Sequence, residues 1–505
     1  MELLGGFVSA FQYLLYHPLN WLLIIFGTIW GILFGSIPGL TGIVGVALLI
    51  PFTFTLGPIE GLLMLGAVYC GSTFGGSISA ILFNTPGAPE AACTTLDGYP
   101  MAKQGFAGKA IGYALGASAI GGLFGTIVLI LMAPPLAEVA LEFGPPAYFA
   151  LAVLGITAIA SIGTKSVFKS LLSGMIGLGL ATVGMDPLTS NARFNFGSDM
   201  LLTGISFIPA IIGLFALAEV LKRSGEMRKG QILDTGGKVR TELPTLREIW
   251  NLKGALLRSS IIGTFIGVLP GVGATTASFI GYSEAVRWSK HPERFGTGIP
   301  EGIVSPESAN NAAVGGSMVP LLSLGIPGSA TTAVMIGGLT IHGIVPGPML
   351  MVQNQDLVYS IFIGMLVANV LMIFFGIKIA SQFAKVLKIP YVLVGPGIIV
   401  LCMTGVFALR NNMMDLVVML ALGGFGYLLQ ELDYPIAPLI IGLVLGPIAE
   451  INLRRAMILS NFDFIAVITQ PIAGAMLLIS VLSLCYGLYG QYKNYFKHKQ
   501  KLMST

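Results

Sequence analysis

The sequence predicts an all-α polytopic membrane protein built from two repeated halves that contain broken helices or re-entrant hairpins. Three observations carry this prediction. The 505 residues are 54% hydrophobic and only 10% charged, with a mean hydropathy of +0.85, whereas soluble domains carry about a quarter charged residues. Apolar stretches of about 17–25 residues, enough to cross a bilayer, recur from Trp21 to Leu484. Related glycine–proline blocks also appear in both halves in the same order. The first half has Gly35-Ser36-Ile37-Pro38-Gly39-Leu40-Thr41-Gly42, Gly75-Gly76-Ser77 and Asn84-Thr85-Pro86-Gly87-Ala88. The second has Gly267-Val268-Leu269-Pro270-Gly271-Val272-Gly273, Gly315-Gly316-Ser317 and Gly325-Ile326-Pro327-Gly328-Ser329. The spacing from Gly76 to Pro86 differs by one residue from that of Gly316 to Pro327. Corresponding interruptions of hydrophobic segments are the mark of a duplicated bundle with a site at the repeat interface. A transmembrane barrel would alternate polar and apolar residues in short strands, and these runs are apolar all round.

In order along the chain, the candidate spans are 21–37, 59–83, 110–132, 147–162, 201–221 and 256–269. The later ones are 357–379, 391–409, 416–429, 436–445 and 464–484, giving roughly a dozen segments of bilayer length, several cut short by Gly or Pro. No Lys or Arg precedes Lys103, so the basic start of a cleaved signal peptide is missing and the first helix is expected to stay as an anchor. Residues 222–253 hold eight basic and four acidic side chains. They divide the chain into an N-terminal repeat (1–221), a linker (222–253) and a C-terminal repeat (254–505). The basic excess predicts a cytoplasmic linker. Lys493, Lys497, Lys499 and Lys501, beside Tyr486, Tyr489, Tyr492 and Tyr495, predict a cytoplasmic C-terminus on the same grounds. The helix ending at Pro270 follows that linker, while its counterpart ending at Pro38 follows a stretch without basic residues. Entry from opposite sides predicts an inverted-topology repeat, with a parallel repeat as the alternative. Cys70, Cys93, Cys402 and Cys485 have neither pairing nor metal-ligand spacing and are expected to pack.

A helix broken inside a bilayer is tolerated only where the break is buried in protein or lines a wet cavity. Pro86-Gly87 and Pro327-Gly328 each follow a long apolar run and precede an Ala/Thr-rich stretch. That order predicts a turn at membrane depth, with amides at a new helix start that suit an anion. The candidate substrate-binding residues are Asn84, Thr85, Pro86 and Gly87, then Pro327, Gly328, Ser329, Thr331 and Thr332, joined by Asn310 and Asn311. Close helix packing competes as an explanation for any single glycine, but it does not account for duplication of the whole pattern. Candidate ion-coupling residues are Thr41, Ser77, Glu90, Thr275, Thr276, Glu307 and Ser317, because hydroxyls, carbonyls and a buried carboxylate suit Na⁺ or H⁺. For Glu90 and Glu307 the solvated and the functional readings weigh the same. Glu60, Asp97, Asp186, Glu301 and Asp415 are expected to face loops and solvent, and His342 to be a packing histidine. Gly-Lys-Ser/Thr, His-Glu-x-x-His and Gly-x-Ser-x-Gly are all missing from the sequence, so P-loop, zinc-protease and serine-hydrolase chemistry is not expected. The chain is not expected to be an enzyme.

These blocks resemble the large membrane subunit of the tripartite tricarboxylate transporters, the TctA family. The resemblance covers nearly the whole chain and is most specific in three places. These are Gly71-Ser72-Thr73-Phe74-Gly75-Gly76-Ser77-Ile78 through Pro89, Gly267 through Ala274, and Gly325 through Ala333 continuing to His342-Gly343-Ile344-Val345-Pro346-Gly347. It implies a carrier in a bacterial inner membrane that works with a small membrane subunit and a periplasmic solute-binding protein. It also implies uptake of citrate or another organic carboxylate, driven by an ion gradient and needing no organic cofactor or nucleic acid. An elevator-like division into scaffold and transport parts is a further implication. A carboxylate channel, or a docking subunit that transports nothing by itself, is the alternative function.

Overall fold

The computed structural model describes residues 2–161, 166–227, 243–386 and 391–503. Much of the basic linker, 228–242, lies outside the described residues. Proline opens six of the described α-helices, where its missing N–H costs nothing and its fixed φ already suits a helix. The first half contains α1 (Glu2–Tyr16), α2 (Pro18–Ser36), α3 (Gly42–Thr53) and α4 (Pro58–Phe83). A single 3₁₀ turn at Pro89–Ala91 and α5 (Thr94–Met101) then lead into the long α6 (Ala107–Leu141). Next come α7 (Pro145–Ser161), α8 (Val167–Ala181) and an antiparallel hairpin of β1 (Gly184–Met185) and β2 (Ala192–Arg193). α9 (Phe207–Ile211) runs through a π-helical stretch into α10 (Ala218–Met227).

The second half opens with α11 (Leu246–Asn251), α12 (Lys253–Val268), α13 (Gly273–Trp288), α14 (Pro300–Leu324) and α15 (Ala330–Ile341). It continues through α16 (Pro348–Gln353), α17 (Gln355–Val386), α18 (Tyr391–Arg410) and α19 (Met413–Glu431). α20 (Ile436–Leu459), α21 (Phe464–Ile468) and α22 (Pro471–Met503) complete it. Among the described residues, seven helices are long and apolar enough to cross a membrane and five shorter apolar ones accompany them, in line with the spans expected.

One expected span changes, and one buried helix lies where no span was expected. The span expected at 201–221 begins only at Phe207, because the preceding residues form the hairpin and irregular turns. α14 is not among the candidate spans, since Ser305, Glu307, Ser308, Asn310 and Asn311 dilute its hydropathy. Yet it is buried continuously from Gly302 to Ser323. Protein surrounds this helix where lipid surrounds others, and that is why its polar residues are tolerated.

α2 packs on α4 and α12 on α14 by the same device. Gly31 and Gly35 face the carbonyls of Val68 and Ser72, while Gly263 and Gly267 face those of Ala309 and Ala313. In return Gly75 faces Ile32 and Gly316 faces Thr264. A methyl group at any of these positions would overlap backbone, so the small residues set the helix separation. The contacts equate Gly35 with Gly267, Gly75 with Gly316 and Gly76 with Ser317, one residue away from a direct match of the two Gly-Gly-Ser blocks. In this register ten residues separate Gly76 from Pro86 and also Ser317 from Pro327, so the apparent mismatch disappears. The long helices are exchanged between halves: α6 lies on α12 and α14, and α17 on α2 and α4. α7, α8, α20 and α22 pack together along one flank, and α18 and α19 pack with α10 along another.

The hairpin is held to α20 by charge. Asp186 accepts from Arg454 at 2.6 Å, lies 3.3 Å from Arg193, and also accepts from the amides of Leu188 and Thr189. Glu450 pairs with Arg454 at 2.8 Å. Asp186 is therefore networked rather than loop-facing and solvated. The Arg454 hydrogen bond, followed by the Leu188 amide, holds its carboxyl well below the usual carboxylate range. A depressed carboxyl stabilises the fold fully above its unfolded pKa and loses that contribution as pH falls through the folded value. Asp186→Asn is expected to lower the melting temperature at neutral pH. The gap from the native chain should stay constant down to a pH of about 4, near the unfolded Asp value, and narrow only below it. Thermal melts across pH in detergent check this.

Candidate functional site

Both Pro-Gly turns end a long helix in the same way. Asn84 closes α4 with φ +53° and Gly325 closes α14 with φ +74°. This left-handed C-terminal residue is usually Gly and sometimes Asn, and proline two residues later prevents the helix from resuming. In the first turn the Gly87 amide donates to the Gly76 carbonyl at 3.1 Å. A side chain on Gly87 would collide with the Gly35 carbonyl. In the second turn a side chain on Gly328 would collide with Ser317, the structural counterpart of Gly76. The two turns are thus one backbone device used twice.

The segments behind the two turns are unlike. After the first come an extended Ala88 and only a 3₁₀ turn, with Glu90 inside it. After the second, Ser329 caps the twelve-residue α15 in a reciprocal box. The Ser329 hydroxyl accepts from the Thr332 amide at 3.2 Å, and the Thr332 hydroxyl accepts from the Ser329 amide at 2.8 Å. Thr331 is buried on the first turn of that helix. The expectation of a helix start behind both turns therefore holds fully only for the second. Exposure differs as well: Gly325 to Ser329 are all buried, whereas Asn84 is exposed and Thr85 and Pro86 are half-buried.

Each long helix reaches the other half's turn. Tyr69 of α4 is buried, and its hydroxyl lies 2.9 Å from both Ser317 and Ser329. Asn310 of α14 donates to the Glu90 carbonyl at 3.1 Å. In the register set by the glycines, Tyr69 and Asn310 occupy equivalent positions. Sequence reasoning missed Tyr69; its only signal was one polar-tipped ring inside an apolar run. Asn311 donates to the Glu307 carbonyl and to the Asn310 side chain.

Glu307 is fully buried, and its carboxylate accepts from Thr94 through one oxygen and from Ser118 at 2.9 Å through the other. Thr94 opens α5 and Ser118 lies on α6, so side chains from the first half enclose a carboxylate of the second. Neither hydroxyl was predicted. Thr41 precedes α3, and Thr275 and Thr276 lie half-buried in the first turn of α13. These three flank the helix breaks and do not join the Glu307 cluster. The break before α13 does abut the second turn, with Gly273 beside Ser329.

Among the other acids, Asp97 departs most from expectation. It is fully buried and accepts from Tyr282 and from the amides of Gly296, Gly298 and Ile299, which ties α5 to the start of α14. Asp415 is buried near Arg410, Glu60 accepts from Tyr13 at 2.8 Å, and Glu301 lies in the first turn of α14. Glu60, Tyr13, His342 and Asp356 line a cavity of 1050 Å³, and Arg193 and Glu450 border a second of 390 Å³. Neither cavity is lined by a residue of the Pro-Gly turns.

Two repeat-related helix pairs, each with a long helix gripping the other's broken turn, define a polytopic membrane protein of the duplicated, broken-helix class. The chain belongs to the tripartite tricarboxylate transporter TctA family, whose model matches residues 21–441. It is therefore a membrane subunit of a tripartite tricarboxylate transporter. Over 482 residues, 95% of each chain, it is 39% identical to an uncharacterized 52.8 kDa protein in the TAR-I ttuC' 3'region of Agrobacterium vitis. A second relative from that organism, an uncharacterized protein in the TAR-II ttuC' 3'region, is 40% identical over 215 residues, 43% of this chain and 89% of the relative. No solved structure matches.

If the crossed contacts hold the two halves together, Tyr69→Phe and Asn310→Ala should each cost about 1–2 kcal/mol, the value of a buried hydrogen bond plus a stranded partner. Thermal unfolding of purified variants reads this directly. Wild-type stability in Tyr69→Phe would mean that the phenol holds nothing.

Proposed function

We propose that this chain is the carrier subunit of a binding-protein-dependent secondary transporter that imports citrate or another organic carboxylate by cation symport. The crossed pair of Pro-Gly turns is the observation that carries the proposal, because it supplies one broken-helix site formed by both halves. The carboxylate is held at the start of α15 by the amides of Gly328 and Thr331 and the Thr331 hydroxyl, where the helix dipole favours negative charge, while Ser329 and Thr332 fix that helix start by capping each other. Pro327 keeps those amides out of the preceding helix. Asn84, Thr85 and Gly87 complete the site from the first half, with Asn310 and Asn311 between. The cation is carried near Glu307 and Glu90, with Ser77 beside Glu307, whereas Ser317 lies at the second turn against Tyr69. A periplasmic solute-binding protein delivers substrate and a small membrane subunit completes the complex.

The unequal burial of the turns supports alternating access, with the second turn sealed and the first partly open. The proposed setting is a bacterial inner membrane, with the halves inverted and the linker and C-terminus cytoplasmic. The Lys109–Glu248 pair, 3.1 Å across, supports a shared face for the start of α6 and the end of the linker. The hairpin would then face the periplasm, since α9 and α10 separate it from the linker.

Uptake of labelled citrate and a panel of carboxylates into proteoliposomes tests the proposal. The vesicles contain this chain and its small subunit, with binding protein outside and an imposed Na⁺ or pH gradient. Concentrative, gradient-dependent uptake is expected, and Pro327→Ala or Ser329→Ala should reduce it about tenfold or more while the protein still inserts, the scale of losing one or two oriented donors. Wild-type uptake by both variants would overturn the site. Equilibration without a gradient would identify a channel, and no flux of any carboxylate would identify a docking subunit.

A further inference from the structure

We infer that Glu307 is the carboxylate of a buried Na⁺ site whose other ligands are the hydroxyls of Ser77, Thr94 and Ser118. Glu307 has no exposed surface, and among the described residues no Lys, Arg or His pairs with it. An uncompensated carboxylate in such a place costs several kcal/mol even after relaxation, so a positive charge has to enter. Both of its oxygens accept hydrogen bonds, one from Thr94 and one from Ser118. A protonated carboxyl would donate its hydrogen to one of these same hydroxyls, so a proton and a metal cation compete for this place.

A separate observation points to the ligand. Ser77 is fully buried and faces the same carboxylate, yet its hydroxyl forms no good hydrogen bond. A buried hydroxyl left without a partner is costly, and a cation beside Glu307 would use its lone pair. The donors are all oxygen, which suits a hard cation, and a single carboxylate matches a single charge. No group of three or more His, Cys, Asp or Glu able to hold a metal occurs among the described residues, and these ligands include neither the imidazole nor the thiolate that favours a transition metal.

The position also gives the ion a task. Ser77 lies on α4, Thr94 opens α5, Ser118 lies on α6 and Glu307 is on α14. One bound Na⁺ therefore clamps the segment just after the first turn to the helix that ends in the second. One turn along α14 from Glu307, Asn310 holds the Glu90 carbonyl, so an empty cation site would loosen the first turn. That coupling role rests on the carrier reading, whereas the Na⁺ site itself does not.

The test is a thermal melt of the purified chain in NaCl against choline chloride at constant ionic strength and pH. A saturable rise of about 5 °C is expected for the native chain, the size a ligand well above its Kd produces in a chain of this length. Thr94→Val, Ser118→Ala and Glu307→Gln should abolish the rise, while Thr94→Ser keeps it. Should Glu307→Gln fail to fold, the two hydroxyl variants carry the test. A Na⁺ response that survives in all three variants would overturn the site. So would a native chain that ignores Na⁺ and is stabilised only by acidification, which would mark a proton-carrying carboxyl. Uptake driven by pH with no Na⁺ response leaves the carrier and removes this site. A Na⁺ response without carboxylate uptake leaves the site and removes the carrier.

Discussion

A bilayer offers no water to a broken helix, so every backbone group that a break releases must find a partner inside the protein. This chain breaks its helices at equivalent places in both halves, and the rest of the structure depends on satisfying those breaks. Behind the first turn, the Gly87 amide reaches the Gly76 carbonyl. At the second, the amides of Gly325 and Ile326 fold back onto the carbonyls of Leu321 and Pro320, and Ser329 and Thr332 cap each other. Such local closure works only if another helix lies almost in backbone contact. Glycine at Gly35, Gly75, Gly267 and Gly316 allows that approach. The glycines and the prolines are therefore one design: proline opens the backbone and glycine brings in the surface that covers it.

The exchange of long helices has the same origin. α14 carries a glutamate, two asparagines and several serines through the middle of the bundle, which lipid would not accept. α6 from the first half and α12 and α13 from the second enclose it. α4 is equally buried but mostly apolar, and α17 of the second half lies against it. Each half thus lends its long helix to shield the other's broken one. Tyr69 and Asn310 link the middle of each long helix to the other half's turn.

Much of this was legible in the sequence, because composition, helix breaks and their duplication are local signals. Pro86-Gly87 and Pro327-Gly328 announce their turns by residue type alone. The hidden features depended on partners distant in the chain. α14 looks too polar to span a membrane until its shielding helices are known. Tyr69 and Asn310 are unlike residues, and only the packing of glycine on carbonyl shows that they are equivalent. Thr94, Ser118 and Asp97 are ordinary in their own segments and gain meaning from Glu307 and from the amides of Gly296, Gly298 and Ile299. Hydropathy also misjudged 201–221, where the residues up to Ser206 belong to the irregular connection that follows the hairpin held at Asp186.

The two turns are equal in backbone and unequal in charge, a division that suits the carrier reading. Opposite Ser329, Thr331 and Thr332 of the second half stand Ala88, Glu90 and Ala91 of the first. A twelve-residue helix start with hydroxyls favours an anion, whereas a short 3₁₀ turn carrying a glutamate repels one. Glu307 adds a second carboxylate to the same side of the arrangement, enclosed by first-half hydroxyls. In the carrier reading, duplication supplied two like frames, and divergence assigns the anion to one and the cation to the other. In the carrier reading neither ligand needs a buried basic side chain. Backbone dipoles neutralise the carboxylate, so its release strands no basic side chain, whereas release of the cation leaves Glu307 ionised until another positive charge replaces it.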